Sequence, residues 1–295
     1  MNRFFLFAAI AFLIVLFSSA CFSQGHDSSY HFIFLPPGIH FTPLKANIDE
    51  ARIGIYKFMD RSAMKVDIGN SIDIFKVENS ANRTSFTVGI DFIGYALTDA
   101  YGGYRLQIDA LDGLFGGNLS ASKEYENSRV ISRLRMWHHS AHYVDGHYDP
   151  ITGAWMDNRK PGPFTRDFGE LIIGYETHFS GGDIKCYGGY SHATLVRPAN
   201  LGKEGCLGGL EWWNSEILSR LFDKPANIYV AYQSTLMSTP AYSGANQVQL
   251  GCKFGKYTEK GPTFYIAYYT GPEMYGQYID ERISGVGVGF TVDFF

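Results

Sequence analysis

The sequence predicts an all-β fold, a transmembrane antiparallel up-and-down β-barrel of about twelve strands. Three observations predict it. From Arg52 to the C-terminus, runs of about ten residues alternate apolar with polar or small side chains, the period of a strand with one face in lipid and the other toward a lumen. Beyond residue 20 no stretch holds eighteen apolar residues, which excludes spanning helices. The chain is 16% aromatic, with 20 Tyr and 33 Gly, and only 18% charged. Tyr and Phe suit interfacial girdles, and Gly suits a tightly curved wall with a crowded interior.

The elements follow in order. Arg3, the apolar run FFLFAAIAFLIVLF and the small residues SSACFSQG read as a secretory signal over 1–23, cleaved between Ala20 and Gln24. Ser18-Ser19-Ala20-Cys21 also fits a loose lipoprotein cleavage box with Cys21 acylated, and this alternative stays open. A periplasmic segment is expected over 24–50 and the barrel over 51–295. The clearest strands are 65–74 (Val66, Ile68, Ile72 and Ile74 against Lys65, Asp67, Gly69, Ser71 and Asp73), 86–92, 104–110 (Leu106, Ile108 and Ala110 against Arg105, Gln107 and Asp109) and 247–254. Weaker candidates at 51–59, 130–143, 168–178, 183–195, 205–213, 226–236, 262–270 and 286–294 complete an even set, which puts both termini on one side.

With both ends in the periplasm, the longer connections at 145–164, 196–204, 239–246 and 271–283 fall on the extracellular side. On the other side, Ile217, Leu218, Leu221 and Phe222 have helical spacing between Asn214 and Pro225, predicting a short interfacial helix. The lumen lining carries both signs, Asp67, Asp73, Asp91, Asp109 and Glu170 against Lys65, Arg105, Arg133, Arg135 and Lys253. In a narrow barrel that predicts a bridging network rather than an open pore. A net charge of -4 gives no reason to expect a nucleic-acid partner. Cys186, Cys206 and Cys252 remain after cleavage, without metal-ligand spacing, and read as small strand residues.

One constellation carries chemistry. In SRLRMWHHSAHYVDGHYD, Arg133 and Arg135 must face the lumen, so Leu134 and Met136 face lipid. The same phase puts His138, Ser140 and His142 on the outer face near the extracellular rim. Alternate residues on one strand face are about 6.6 Å apart, a gap that imidazole and hydroxyl side chains can close. Ser140 is then a candidate nucleophile, His138 or His142 its general base, and Asp167 or Arg166 on the neighbouring strand an orienting partner. Two other readings compete: interfacial polar residues ending a strand, and a metal or anion site formed by His138, His142, His147, Asp145 and Asp149. The residues specify no metal and no cofactor.

The His-x-Ser strand resembles that of outer-membrane phospholipase A and of the lipid A 3-O-deacylase barrels. Those continue Asn-Gly where this chain has Ala141 and His142, so their remaining catalytic groups do not carry over. The stretches at 34–55, 133–142, 164–175 and 207–212 resemble a family of bacterial proteins catalogued as a domain of unknown function, with Ala141 where that pattern has Ser. The terminal SGVGVGFTVDFF resembles the strand by which bacterial outer-membrane barrels are recognised for insertion, although its apolar phase ends on Phe294 and Phe295 lies one residue beyond. These resemblances imply the bacterial outer membrane as location, with its lipid and the barrel-assembly machinery as partners. They also imply a serine-type acyl-ester hydrolase acting on outer-leaflet lipid. The alternative is a non-catalytic barrel that binds or passes a small solute.

Overall fold

The computed structural model describes residues 29–101, 105–144, 148–149, 151–155, 160, 162–239 and 241–294. The signal segment, Cys21, Asp145, His147, Phe295 and the Arg105 side chain lie outside them. The strands are β1 (Tyr30–Phe34), β2 (Ile53–Phe58), β3 (Met64–Asn79), β4 (Thr84–Tyr101), β5 (Arg105–Glu124), β6 (Ser128–Tyr143), β7 (Tyr148–Asp149), β8 (Ala154–Trp155), β9 (Phe164–Phe179), β10 (Gly182–Arg197), β11 (Glu204–Asn214), β12 (Arg220–Leu221), β13 (Lys224–Thr239), β14 (Ala241–Phe254), β15 (Gly261–Pro272) and β16 (Arg282–Asp293). All but β1, β7, β8 and β12 form a closed antiparallel barrel of twelve strands, sealed where β16 pairs with β2. Closure leaves no open sheet edge in the apolar zone, where an unpaired backbone group costs several kcal/mol.

The outward phase is apolar around the wall: Ile68 is 60% exposed, Phe92 59%, Met136 67% and Val288 45%, while Asp67, Asp91, Arg135 and Gln249 are buried inside. Such a surface belongs in hydrocarbon. Two bulges shift the expected phase. Between Leu97 and Thr98 the β4–β5 register skips Asp109, so Ala110, expected on the outer face, is buried within and Leu111 faces out. A second bulge, in β3, removes Ile74 from the outer row and brings out Phe75.

Other expectations are corrected by the backbone. The region 239–246 is not a loop, because β13 runs to Thr239 and β14 restarts at Ala241. The 214–225 helix does not form. Asn214 Oδ1 accepts the Glu216 and Ile217 N–H groups at 2.7 Å each, a proper helix start. Ser219, Phe222 and Asp223 then take positive φ, and Arg220–Leu221 pairs back onto Lys224–Pro225 as a tight hairpin. A run this short has too few turns to offset helix nucleation without packing.

The N-terminal segment is part of the barrel. β1 pairs with the lower end of β3, below the point where β2 pairs with it, so β1 and β2 are two halves of one interrupted strand. Between them, residues 35–52 pass into the lumen. Leu44 is 0% exposed and Glu50 1%. Glu50 takes both terminal nitrogens of Arg133, Nη1 at 3.0 Å, and Arg135 Nη1 stands 3.5 Å from Oε2. Lys45 Nζ meets Asp293 Oδ2 at 3.0 Å, an oxygen shared with Lys253 at 2.6 Å. The bridging network is therefore real, with its centre supplied by the plug. From the other end, residues 273–281 fold inward: Gly276 N donates to Asp112 Oδ2 at 2.9 Å and Tyr275 Oη to the Ala96 carbonyl at 3.1 Å. A Cβ on Gly276 would lie 2.4 Å from the Phe164 ring, so this close approach requires glycine.

The plug is expected to loosen in acid. Burial first, then Arg129 and Lys76, pushes the His40 imidazole down to about 3. A histidine released into water titrates near 6.5, so docking is favoured above that value and loses stability as pH falls from about 6.5 toward 3. Proteolytic cleavage within 35–52 should rise between pH 7.5 and pH 5, and His40→Gln should flatten that rise. Cleavage independent of pH in the wild type would contradict the assignment.

Candidate active site on the outer face

β6 places the chemistry. Arg133, Arg135, Trp137 and His139 are buried inside, while Met136, His138, Ser140 and His142 face outward. Immediately below His138 the outer phase of β6 is apolar at Leu134 and Met136; from His138 upward it is polar. The cluster thus begins at the upper border of the apolar surface of β6, five residues below the end of the strand at Tyr143.

Two hydrogen bonds organise it. Ser140 Oγ lies 2.9 Å from His142 Nε2. His138 Nδ1 lies 2.6 Å from Asp167 Oδ1, which sits directly across on β9. The His138 ring also rests against Phe115 of β5, with centroids 5.1 Å apart. This leaves Nε2 as the edge of the imidazole not used by Asp167. Ser140 lies between the two histidines in the outward row of β6 and in this structure contacts His142. The four residues singled out by sequence, His138, Ser140, His142 and Asp167, therefore fall on one face as two contacting pairs.

Arg166, the alternative orienting partner, points inward and is 6% exposed. His139 also points inward, with Nε2 2.7 Å from Asp112 Oδ2 and its ring edge-on to Phe164. Asp149 is engaged in its own turn, accepting from Ile151 N at 2.9 Å and Thr152 Oγ1 at 2.8 Å. Among the described residues no cluster of three or more His, Cys, Asp or Glu is arranged to hold a metal ion.

Beside Ser140 the wall is bare. Gly113 of β5 is its direct partner, and Gly94 of β4 lies one strand further. A Cβ on Gly113 would meet nothing within 4 Å, so an open notch borders the hydroxyl between Leu111 and Phe115. The notch depends on the β4–β5 bulge, which sets the phase of Gly113, and pattern reading alone missed it. Gly113→Val should leave the barrel intact, because the position is extended and unobstructed, yet cut turnover of a bulky ester at least tenfold. Unchanged turnover in the folded variant would show that substrate does not use the notch.

No protein-family model matches the chain, and no curated protein matches it. In backbone shape it is similar to a bacterial polysaccharide outer membrane secretin (11% identity, TM-score 0.35, 82% of this chain and 96% of that one). It is also similar to the outer membrane protein OprD from Pseudomonas aeruginosa (10% identity, TM-score 0.29, 89% of this chain and 97% of that one). Likenesses this remote do not bear on the chemistry of the site.

Proposed function

We propose that this barrel resides in the bacterial outer membrane, inserted by the barrel-assembly machinery, and hydrolyses acyl esters of outer-leaflet lipid with Ser140 as nucleophile. The observation that carries the reading is the 2.6 Å His138–Asp167 contact with Ser140 as the next outward residue of the same strand. A carboxylate on Nδ1 fixes an imidazole so that Nε2 accepts a hydroxyl proton. In the proposed reaction Ser140 Oγ attacks the acyl carbonyl as its proton passes to His138 Nε2. The alkoxide of the leaving alcohol takes that proton, and water then cleaves the acyl-serine with His138 again as base. His142 holds the Ser140 hydroxyl in the resting arrangement. The location suits a lipid substrate, since the cluster faces outward where the apolar side chains of β6 give way to polar ones.

The filled lumen weighs against free passage of solute, because residues 35–52 and 273–281 enter it from opposite ends. The test is release of free fatty acid by the purified full chain in vesicles of phospholipid and, separately, of lipid A, with and without calcium. Release is the expected result. A folded protein that releases nothing from either lipid or from simple acyl esters, under any calcium condition, would overturn the proposal.

A further inference from the structure

Between the plug and the inward-folded 273–281 segment lies a cavity of about 100 Å³, lined among others by Asp49, Arg166, Glu170, Ser191, Gln233 and Gln247. It is separate from the outer-face cluster, because adjacent residues of a strand face opposite sides of the wall: Asp167 turns out and Arg166 turns in. Arg166 is its distinctive member. Its side chain is buried, 6% exposed, lies over the Phe168 ring at 4.5 Å, and donates from Nη2 to Ser191 Oγ at 3.2 Å. Its Nε has no partner, and no described carboxylate stands within salt-bridge distance. Arg133 and Arg135, by contrast, are each ion-paired. Gln247 Oε1, also in the lining, is buried and unpaired as well.

Glu170, Asp49 and Glu204 act on Arg166 only at longer range, and a buried guanidinium with no carboxylate in contact is costly unless an anion completes it. The planar fork matches a carboxylate, and Ser191 already fixes its orientation. Three lining carboxylates, Asp49, Glu170 and Glu273, limit the charge an occupant can carry. Glu170 is taken up by Arg135 Nε at 3.0 Å, whereas Asp49 receives only the Tyr95 hydroxyl at 3.4 Å. A dianion would be repelled by these carboxylates, whereas a single carboxylate can be met by the Arg166 fork, which none of them contacts. We infer that this cavity binds a small solute through one carboxylate held by Arg166.

The probe is radiolabelled propionate in equilibrium dialysis against the full-length protein in detergent, with propionamide and inorganic phosphate as competitors. Saturable propionate binding is expected, weakened at least tenfold by Arg166→Gln, with propionamide unable to compete and phosphate competing poorly. Ala245→Phe, which fills the same cavity from β14, should abolish binding, and it carries the test if Arg166→Gln does not fold. No saturable binding, equal competition by propionamide, stronger competition by phosphate, or binding that survives either folded variant would each overturn the inference.

Discussion

Replacing Ser140 by Ala is expected to lower lipid hydrolysis by at least about 10³, since removing a nucleophile leaves only binding and polar stabilisation. The barrel itself should be unaffected. Ser140 is a small, partly exposed rim side chain whose one side-chain hydrogen bond goes to the exposed His142, so its loss costs little stability. Unchanged heat-resistant mobility on a gel would establish this. The pattern across neighbours matters more than the single loss. Asp167→Asn and His138→Ala should each cost about 10²–10⁴, because an imidazole without its carboxylate loses the tautomer and orientation that general-base work needs. His142→Ala should cost about tenfold or less if His138 is the base, and His139→Gln, inside the wall against Asp112, should retain turnover. Loss at His142 with retention at His138 would reverse the assignment of the base. Full retention in all of these variants would leave the cluster as interfacial polar residues.

Glu50→Ala is expected to free the plug. Glu50 is 1% exposed and is the counter-charge of Arg133 and, in part, of Arg135, themselves 4% and 2% exposed. Removing one partner of a buried ion pair typically costs about 3–5 kcal/mol, since the remaining charge stays out of water. Most of that cost is relieved if residues 35–52 leave the lumen. Rapid proteolysis within 35–52 and a new ion conductance in planar bilayers, both absent from the wild type, are the expected signatures. Burial alone raises the Glu50 carboxyl, but Arg133 and Arg135 outweigh it and hold it below the usual range. The ionised form therefore contributes stability above about pH 4.5 and loses it as pH falls further, overlapping only the acid end of the range in which His40 acts. A variant as closed and as protease-resistant as the wild type would show that the pair does not anchor the plug.

The barrel was legible in the chain because lipid on one side and a packed lumen on the other impose a period of two on every strand, independently of its neighbours. The outward placement of His138, Ser140 and His142 followed from the same rule once Arg133 and Arg135 were required to face inward. Register was harder. That Asp167 meets His138 depends on how β9 slides against β6 across the long 144–163 connection, so sequence offered Asp167 only by position and gave equal standing to Arg166. The plug had no periodic signature. Its anchors are long-range pairs such as Lys45 with Asp293 and Glu50 with Arg133, and nothing local in PPGIHFTPLKANIDEAR marks those partners. The bulges that moved Ala110 inside and exposed Phe75 were invisible for a related reason, since a skipped residue changes phase without changing composition.

The most direct test of the outer-face site is covalent labelling of the folded protein in lipid vesicles by a fluorophosphonate serine probe, with the adduct located by peptide mass spectrometry. The expected result is a single adduct on Ser140, greatly slowed in Asp167→Asn and absent from Ser140→Ala. A folded wild-type protein in which Ser140 stays unmodified, or is modified no faster than exposed serines such as Ser215 and Ser284, would contradict it.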